Sequence, residues 1–272
     1  MPSYVDYNFT QDPNYVQGYT VEHAKQFQAC KSSLPQYADN FEVLTEPALK
    51  EAAAELKRVG GNSKLITRIF GQKSEGSCVG NAFMQGLQYC QAKLAGKHRV
   101  IQMSAMSLYK QIGSSPNSGA NIGDAMDRLK DTGGLPLDTE ENKRRFKHTM
   151  SHTNFRQPWP AGWKETAKLF ANCEMFVANH WMEAFSALAR GLCIGVGRAG
   201  HSILYLDPVF EDGTWAVDYV NSWDESWGFA KGDFRGGFGR DTRRLFNEAT
   251  DWCVVFEGPD SEAWNWLQEL AT

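Results

Sequence analysis

The stretch Gly71-Gln72-Lys73-Ser74-Glu75-Gly76-Ser77-Cys78-Val79-Gly80-Asn81-Ala82-Phe83 joins an irregular segment to a helical one. From Cys78 onward, Val79, Ala82, Phe83, Gly86, Leu87, Cys90 and Leu94 recur at three- and four-residue steps. That is the period of a helix with one buried face. Gly96 ends the run, and Gly76-Ser77 breaks the chain just before it. Cys78 therefore stands at a helix start, where free backbone N–H groups and the helix dipole favour a thiolate and lower its pKa.

Outward from this point the pattern changes character. Before it, residues 1–45 read as an irregular leader, 46–59 as a helix with Thr45 as N-cap and Gly60-Gly61 as stop, and 63–70 as extended chain. After it, helices are expected over 104–112, 122–130 and 181–190, with a charged solvated stretch at 138–148 and a Pro- and Gly-bearing loop at 157–163. Beyond Gly191 the period shortens, and 192–197, 201–206, 215–221 and 253–257 read as strands. Helices first and strands last give an α+β fold with a helical and a sheet lobe. Residues 261–272, with Trp264, Trp266, Leu267 and Leu270, read as an amphipathic tail helix.

Composition narrows the function classes. The chain has 272 residues, 42% hydrophobic and 22% charged, which suits one two-lobed globular domain. The net charge is −4 and no basic tract exceeds Lys143-Arg144-Arg145, so nucleic acid is not an implied partner. No apolar run reaches the roughly 18 residues that span a bilayer. Residues 1–20 lack a basic and then apolar secretory signal, and the expected location is cytoplasmic or virion-associated. The six cysteines are scattered without a CxxC pair, which implies neither a disulfide framework nor a zinc site. No metal or cofactor is called for.

A thiolate nucleophile needs an imidazole to stabilise it and later to protonate the leaving group. Of six histidines, His201 follows Gly200 at the start of the apolar run Ser202-Ile203-Leu204-Tyr205-Leu206, where a strand edge would hold it rigidly. The ring must be kept in one tautomer, and Asn221, which ends a strand, offers a side-chain carbonyl for that. Trp223 would shield the bond from water. Gln72, six residues before Cys78, offers an N–H to a tetrahedral oxyanion beside the Cys78 backbone N–H.

The spacing Gln72-x5-Cys78, the triplet Gly76-Ser77-Cys78, Gly200-His201 and Asn221-Ser222-Trp223-x3-Trp227-Gly228 together resemble the papain-like cysteine peptidases over about 70–238. The small residues after Cys78 look closest to the bacterial and phage-type branch. The resemblance implies a helical lobe and an antiparallel β-barrel-like lobe with the active-site cleft between them. It implies a Cys78–His201–Asn221 triad with Gln72 in the oxyanion hole, and a protein or peptide substrate. Ser118-Gly119-Ala120-Asn121 resembles the segment that pairs with the substrate main chain, with Gly119 as the pairing residue and Trp223 as a further cleft residue. The domain boundaries that follow are 1–60 for a leader or pro-like extension, 61–258 for the peptidase domain and 259–272 for the tail. An alternative is a phage virion structural protein on the same scaffold, with virion assembly partners and little or no activity.

The chain departs from that pattern in three places. Glu75 stands where a bridging cysteine often lies, which implies a reducing compartment. The leader does not resemble the helical inhibitory propeptide of the family. The link Arg198-Ala199-Gly200 is far shorter than usual, so the two flanking strands are expected to form a tight hairpin. The pocket wall this removes would then come from the aromatic loop 155–163 or from leader residues 4–19.

Overall fold

A computed structural model of the chain describes residues 18–198, 200–242 and 253–259. The central element is helix α4, Cys78–Ala95, the fourth after α1 (Val21–Cys30), α2 (Tyr37–Asn40) and α3 (Glu46–Arg58). Almost all of α4 is buried, including Gln85, Gln88 and Gln91. These three amides lie three residues apart and each serves a neighbouring loop. Gln85 donates to the Arg68 carbonyl at 2.6 Å, while Gln88 and Gln91 accept from the N–H groups of Met103 and Ile101 at 2.7 and 2.8 Å. Buried polar groups are tolerated when paired in this way. The remaining helices are α5 (Ala105–Ile112), α6 (Ile122–Asp131), α7 (Glu140–Arg145), α8 (Trp163–Ala167) and α9 (Trp181–Ala189).

Against α4 lies one antiparallel sheet. Its strands are β1 (Cys173–Ala178), β2 (Cys193–Arg198), β3 (His201–Glu211), β4 (Thr214–Val220), β5 (Phe229–Lys231), β6 (Phe234–Thr242) and β7 (Cys253–Pro259), in the order β1-β7-β2-β3-β4-β6-β5. The expected barrel-like lobe is thus an open seven-stranded sheet, because β1 and β5 stand at opposite edges and are not paired. Side-chain alternation in β3 splits the interior in two. Leu204 and Leu206 join the core under α4, α5 and α6, whereas Ile203 and Tyr205 join a second core under α3 and α9.

The hairpin expected at Arg198-Ala199-Gly200 is present: β2 pairs with β3, and the ladder reaches Arg198 and His201. Gly200 has φ +85°, a conformation costly for residues with a Cβ. Four features differ from the sequence reading. The leader is not irregular throughout, since it carries α1 and α2; Thr20 accepts from the His23 N–H, and the His23 ring accepts from Thr20 N–H, forming a capping box. Thr45 holds the N-cap position of α3 without a side-chain cap bond. The charged stretch 138–148 contains α7, capped by Thr139. Strands β1, β5 and β6 were not expected. Residues 19–58 pack into both cores, through Tyr19 and Phe27 on one side and Tyr37, Leu49 and Ala53 on the other. The tail read over 261–272 lies outside the described residues.

Candidate active site

Cys78 is the first residue of α4, and its side chain is 0% exposed. Its sulfur meets the backbone N–H groups of Cys78, Val79 and Ser202, so the thiol sits between the helix start and the beginning of β3. His201 opens β3 and is also buried. Its Nε2 lies 2.7 Å from Asn221 Oδ1. That oxygen also accepts the Ser222 N–H at 2.7 Å, which fixes the amide's orientation. A carbonyl oxygen only accepts, so Nε2 carries the proton and Nδ1 is left as the basic nitrogen. The Trp223 ring lies 4.8 Å from the imidazole, centroid to centroid, and covers it.

Gln72 is tied to the same segment from the other side of the chain. Its backbone N–H donates to the Ser222 carbonyl at 2.8 Å, and the Asp224 N–H donates to the Phe70 carbonyl at 3.1 Å. The Gln72 side chain is held at both ends: Oε1 accepts from Ser222 Oγ at 2.7 Å, and Nε2 donates to the Glu75 carbonyl at 2.9 Å. One stretch, Asn221-Ser222-Trp223, therefore orients both His201 and Gln72. Ser222 was quoted in the sequence motif but its grip on Gln72 was not foreseen. Glu75, in place of the expected cysteine, accepts the Phe155 N–H at 3.1 Å and so anchors the aromatic loop beside the Cys78 loop.

Residues 18 and 19 run across this group. A Cβ added to Gly18 would lie 2.6 Å from Cys78 Sγ and 2.2 Å from the Gly76 carbonyl oxygen, so the backbone rests directly on the thiol. The Gly18 carbonyl accepts the Ala120 N–H at 2.9 Å, and the Tyr19 N–H donates to the Gly200 carbonyl at 3.2 Å. Gly119 abuts the same carbonyl, where an added Cβ would come within 2.3 Å of the Gly18 oxygen, and its own N–H donates to the Tyr109 hydroxyl at 3.2 Å. The Tyr19 ring packs on Gly197, where a Cβ would come within 2.4 Å of it. Nothing in the sequence marked Gly18 as the residue over the thiol.

Burial sets the charge state of the group. It pushes the Cys78 thiol up to about 12, and the surrounding N–H groups only partly oppose it. The helix-start expectation of a lowered pKa is therefore overturned in this covered state, because desolvation outweighs the helix terminus. Burial likewise pushes His201 down to about 4, against the opposing hydrogen bond to Asn221. Thiol and imidazole are both neutral under the segment.

His152, buried against Phe70, is pushed down to about 3 for the same reason. Both histidines have depressed folded values, so their contribution to stability is complete above the ordinary histidine range. It is lost as pH falls through about 4 and then about 3. A shift of this size is worth on the order of 3 kcal/mol for His201 alone, against a typical total of about 5–15 kcal/mol. The urea midpoint should therefore fall steeply between pH 6.5 and 4, with proton uptake on unfolding. A midpoint that stays flat over this interval would refute neutral burial of these rings.

Among the described residues no cluster of His, Cys, Asp or Glu is arranged to hold a metal, and no helix is long and apolar enough to cross a membrane. The sequence matches no family model and no curated protein. Solved structures do match. Xylellain, a cysteine protease from Xylella fastidiosa, superposes at TM-score 0.51 with 16% identity, over 70% of this chain and 82% of that one. Digestive procathepsin L 3 from the larval midgut of Tenebrio molitor gives TM-score 0.57 with 11% identity, over 87% and 79%. The ragweed pollen allergen Amb a 11, a cysteine protease in its proform, gives 0.55 with 14% identity, over 89% and 75%. The fold is papain-like.

Proposed function

We propose that the chain is a cysteine peptidase whose own residues 18 and 19 block its cleft. The observation that carries the reading is the buried His201–Asn221 hydrogen bond, set in a papain-like fold beside a cysteine at a helix start. With the cleft open to water, the cost of charging the pair falls. His201 Nδ1 then takes the Cys78 proton and Sγ attacks the substrate carbonyl carbon. The oxyanion is met by the Cys78 N–H and by Gln72, whose Nε2 carries a second N–H beside the one given to the Glu75 carbonyl. The C–N bond breaks and the imidazolium gives its proton to the leaving amine. Water, losing a proton to His201, hydrolyses the thioester and restores the thiol.

The Gly18 and Tyr19 main-chain bonds to Ala120 and Gly200 are those that an extended substrate would use. The same contacts that seat a substrate therefore hold the blocking segment.

Two substitutions test the roles. Gln72→Ala should lower kcat by about 10²–10³, the usual loss for one oxyanion donor, with little change in KM. Asn221→Ala should lower activity far more than melting temperature, since it leaves His201 without its tautomer-fixing acceptor. Normal kcat in the first, or normal activity with a large stability loss in the second, would remove that residue from its role. The reading as a whole is tested by a labelled peptide library at micromolar protein, with the segment displaced as described in the Discussion.

A further inference from the structure

Among the described residues Arg198 is the arginine placed inside the protein, with a side chain 4% exposed. It forms an ion pair with Asp241 of β6, which is itself buried. Tyr205 donates to the other Asp241 oxygen at 2.6 Å. A buried ion pair seldom stabilises a fold more than a well-packed apolar pair would, so packing gives little reason for a guanidinium here.

Its position gives a better one. The hairpin register sets Arg198 directly opposite His201. Directly opposed residues of antiparallel strands project on the same face with Cβ atoms roughly 5 Å apart. The guanidinium reaches from there across the sheet face to Asp241 of β6, and along that path its charge still acts on the imidazole.

We infer that Arg198 is a positioning residue for His201: the Arg198–Asp241 pair lays a fixed positive field beside the ring and favours its uncharged, proton-accepting form. The inference rests on the reading of His201 as the base. Around the ring, Asn221 accepts its proton and Trp223 packs on it, just after β4, and Arg198 stands opposite on β2 with Asp241, Tyr205 and Tyr219 around the guanidinium; the adjoining residues Gly200 and Ser202 meet the Tyr19 N–H and the Cys78 sulfur. Arg198 is the charged group among the described residues whose field bears on the ring, and it acts with burial to disfavour imidazolium.

The test uses the full chain and reads His201 itself, by long-range 15N–1H spectra of the histidine rings through an acid titration. Arg198→Met leaves Asp241 as an uncompensated negative charge, and His201 should then protonate at least about one pH unit above the point at which the wild-type ring protonates or the wild-type chain unfolds. Asp241→Asn leaves the positive charge uncompensated and should move protonation the opposite way, so the ring stays neutral to the lowest pH at which the variant is folded. Arg198→Lys should stay near wild type. The double variant Arg198→Met with Asp241→Leu removes both charges without stranding either, so it should fold where a single variant does not. Its ring should protonate above wild type, since the nearer charge is the positive one.

Single variants that move His201 in the same direction, or a folded Arg198→Met or double variant whose ring protonates no higher than wild type, would overturn the inference. Because the spectra do not require turnover, a chain without peptidase activity would fail the functional proposal while leaving this one decidable.

Discussion

Cys78→Ala should abolish peptide cleavage, by at least about 10⁴-fold, the scale of loss when a catalytic nucleophile is removed, while the melting temperature stays close to that of the parent. The loss is large because no other described thiol can substitute. Cys90, Cys173 and Cys193 lie in the apolar core under α4, and Cys30 sits on α1, where its thiol donates to the Phe27 carbonyl at 3.3 Å. The fold should persist because Cys78 contributes one small side chain at a helix start, where alanine is well tolerated. Removing the sulfur also relieves the close approach of Gly18. Residual cleavage near the parental rate would mean that the activity resides elsewhere. Alkylation gives a second reading of the same claim. With the segment in place, Cys78 is buried and neutral, so half-buried Cys30 should react first with iodoacetamide. With the segment displaced, the order should reverse.

The parts legible in sequence were those where local chemistry and spacing agree. The helical period after Cys78, the helices near 104–112 and 122–130, and the tight hairpin before His201 all follow from short-range rules, and each is present in the structure. The distance from His201 to Asn221 is a consequence of β3 and β4 pairing as a hairpin; both were legible as strands, their pairing was not. What was not legible depends on contacts distant in sequence. Strand β6, Phe234-Arg235-Gly236-Gly237-Phe238-Gly239-Arg240-Asp241-Thr242, is too rich in glycine to read as a strand. In the fold, the Tyr219 ring lies where a Gly239 side chain would be. The same holds for β2, where Gly195 makes room for Phe83 and Gly197 for Tyr19. The resemblance implied a missing wall at this hairpin, and in the fold the Tyr19 ring packs against Gly197 there. The raised thiol pKa was invisible for a related reason: it depends on what covers the site.

Gly18→Val should release the block and raise both the rate of Cys78 alkylation and peptidase activity by about 10²-fold or more. The added Cβ alone would fall 2.2 Å from the Gly76 carbonyl oxygen and 2.6 Å from the Cys78 sulfur, contacts that no rotamer removes because both partners belong to the loop and helix start that form the site. What holds the segment is modest by comparison. The bonds to Ala120 and Gly200 exchange for bonds to water, and each nets about 1 kcal/mol. Burial of the Tyr19 ring adds about 2–3 kcal/mol. A steric penalty of about 3 kcal/mol or more therefore outweighs most of the docking energy, and every 1.4 kcal/mol shifts the open fraction tenfold. Helix α1 should survive, because its capping box begins at Thr20 and does not involve Gly18. Tyr19→Ala should act in the same direction by removing the ring instead of adding a clash, so two unrelated changes converge on one outcome. A synthetic peptide covering residues 10–25, added in excess to Gly18→Val protein in the native sequence, should suppress the released activity. If both variants alkylate at the parental rate while remaining folded, the segment does not gate the thiol, and the covered site would have to open by some other movement.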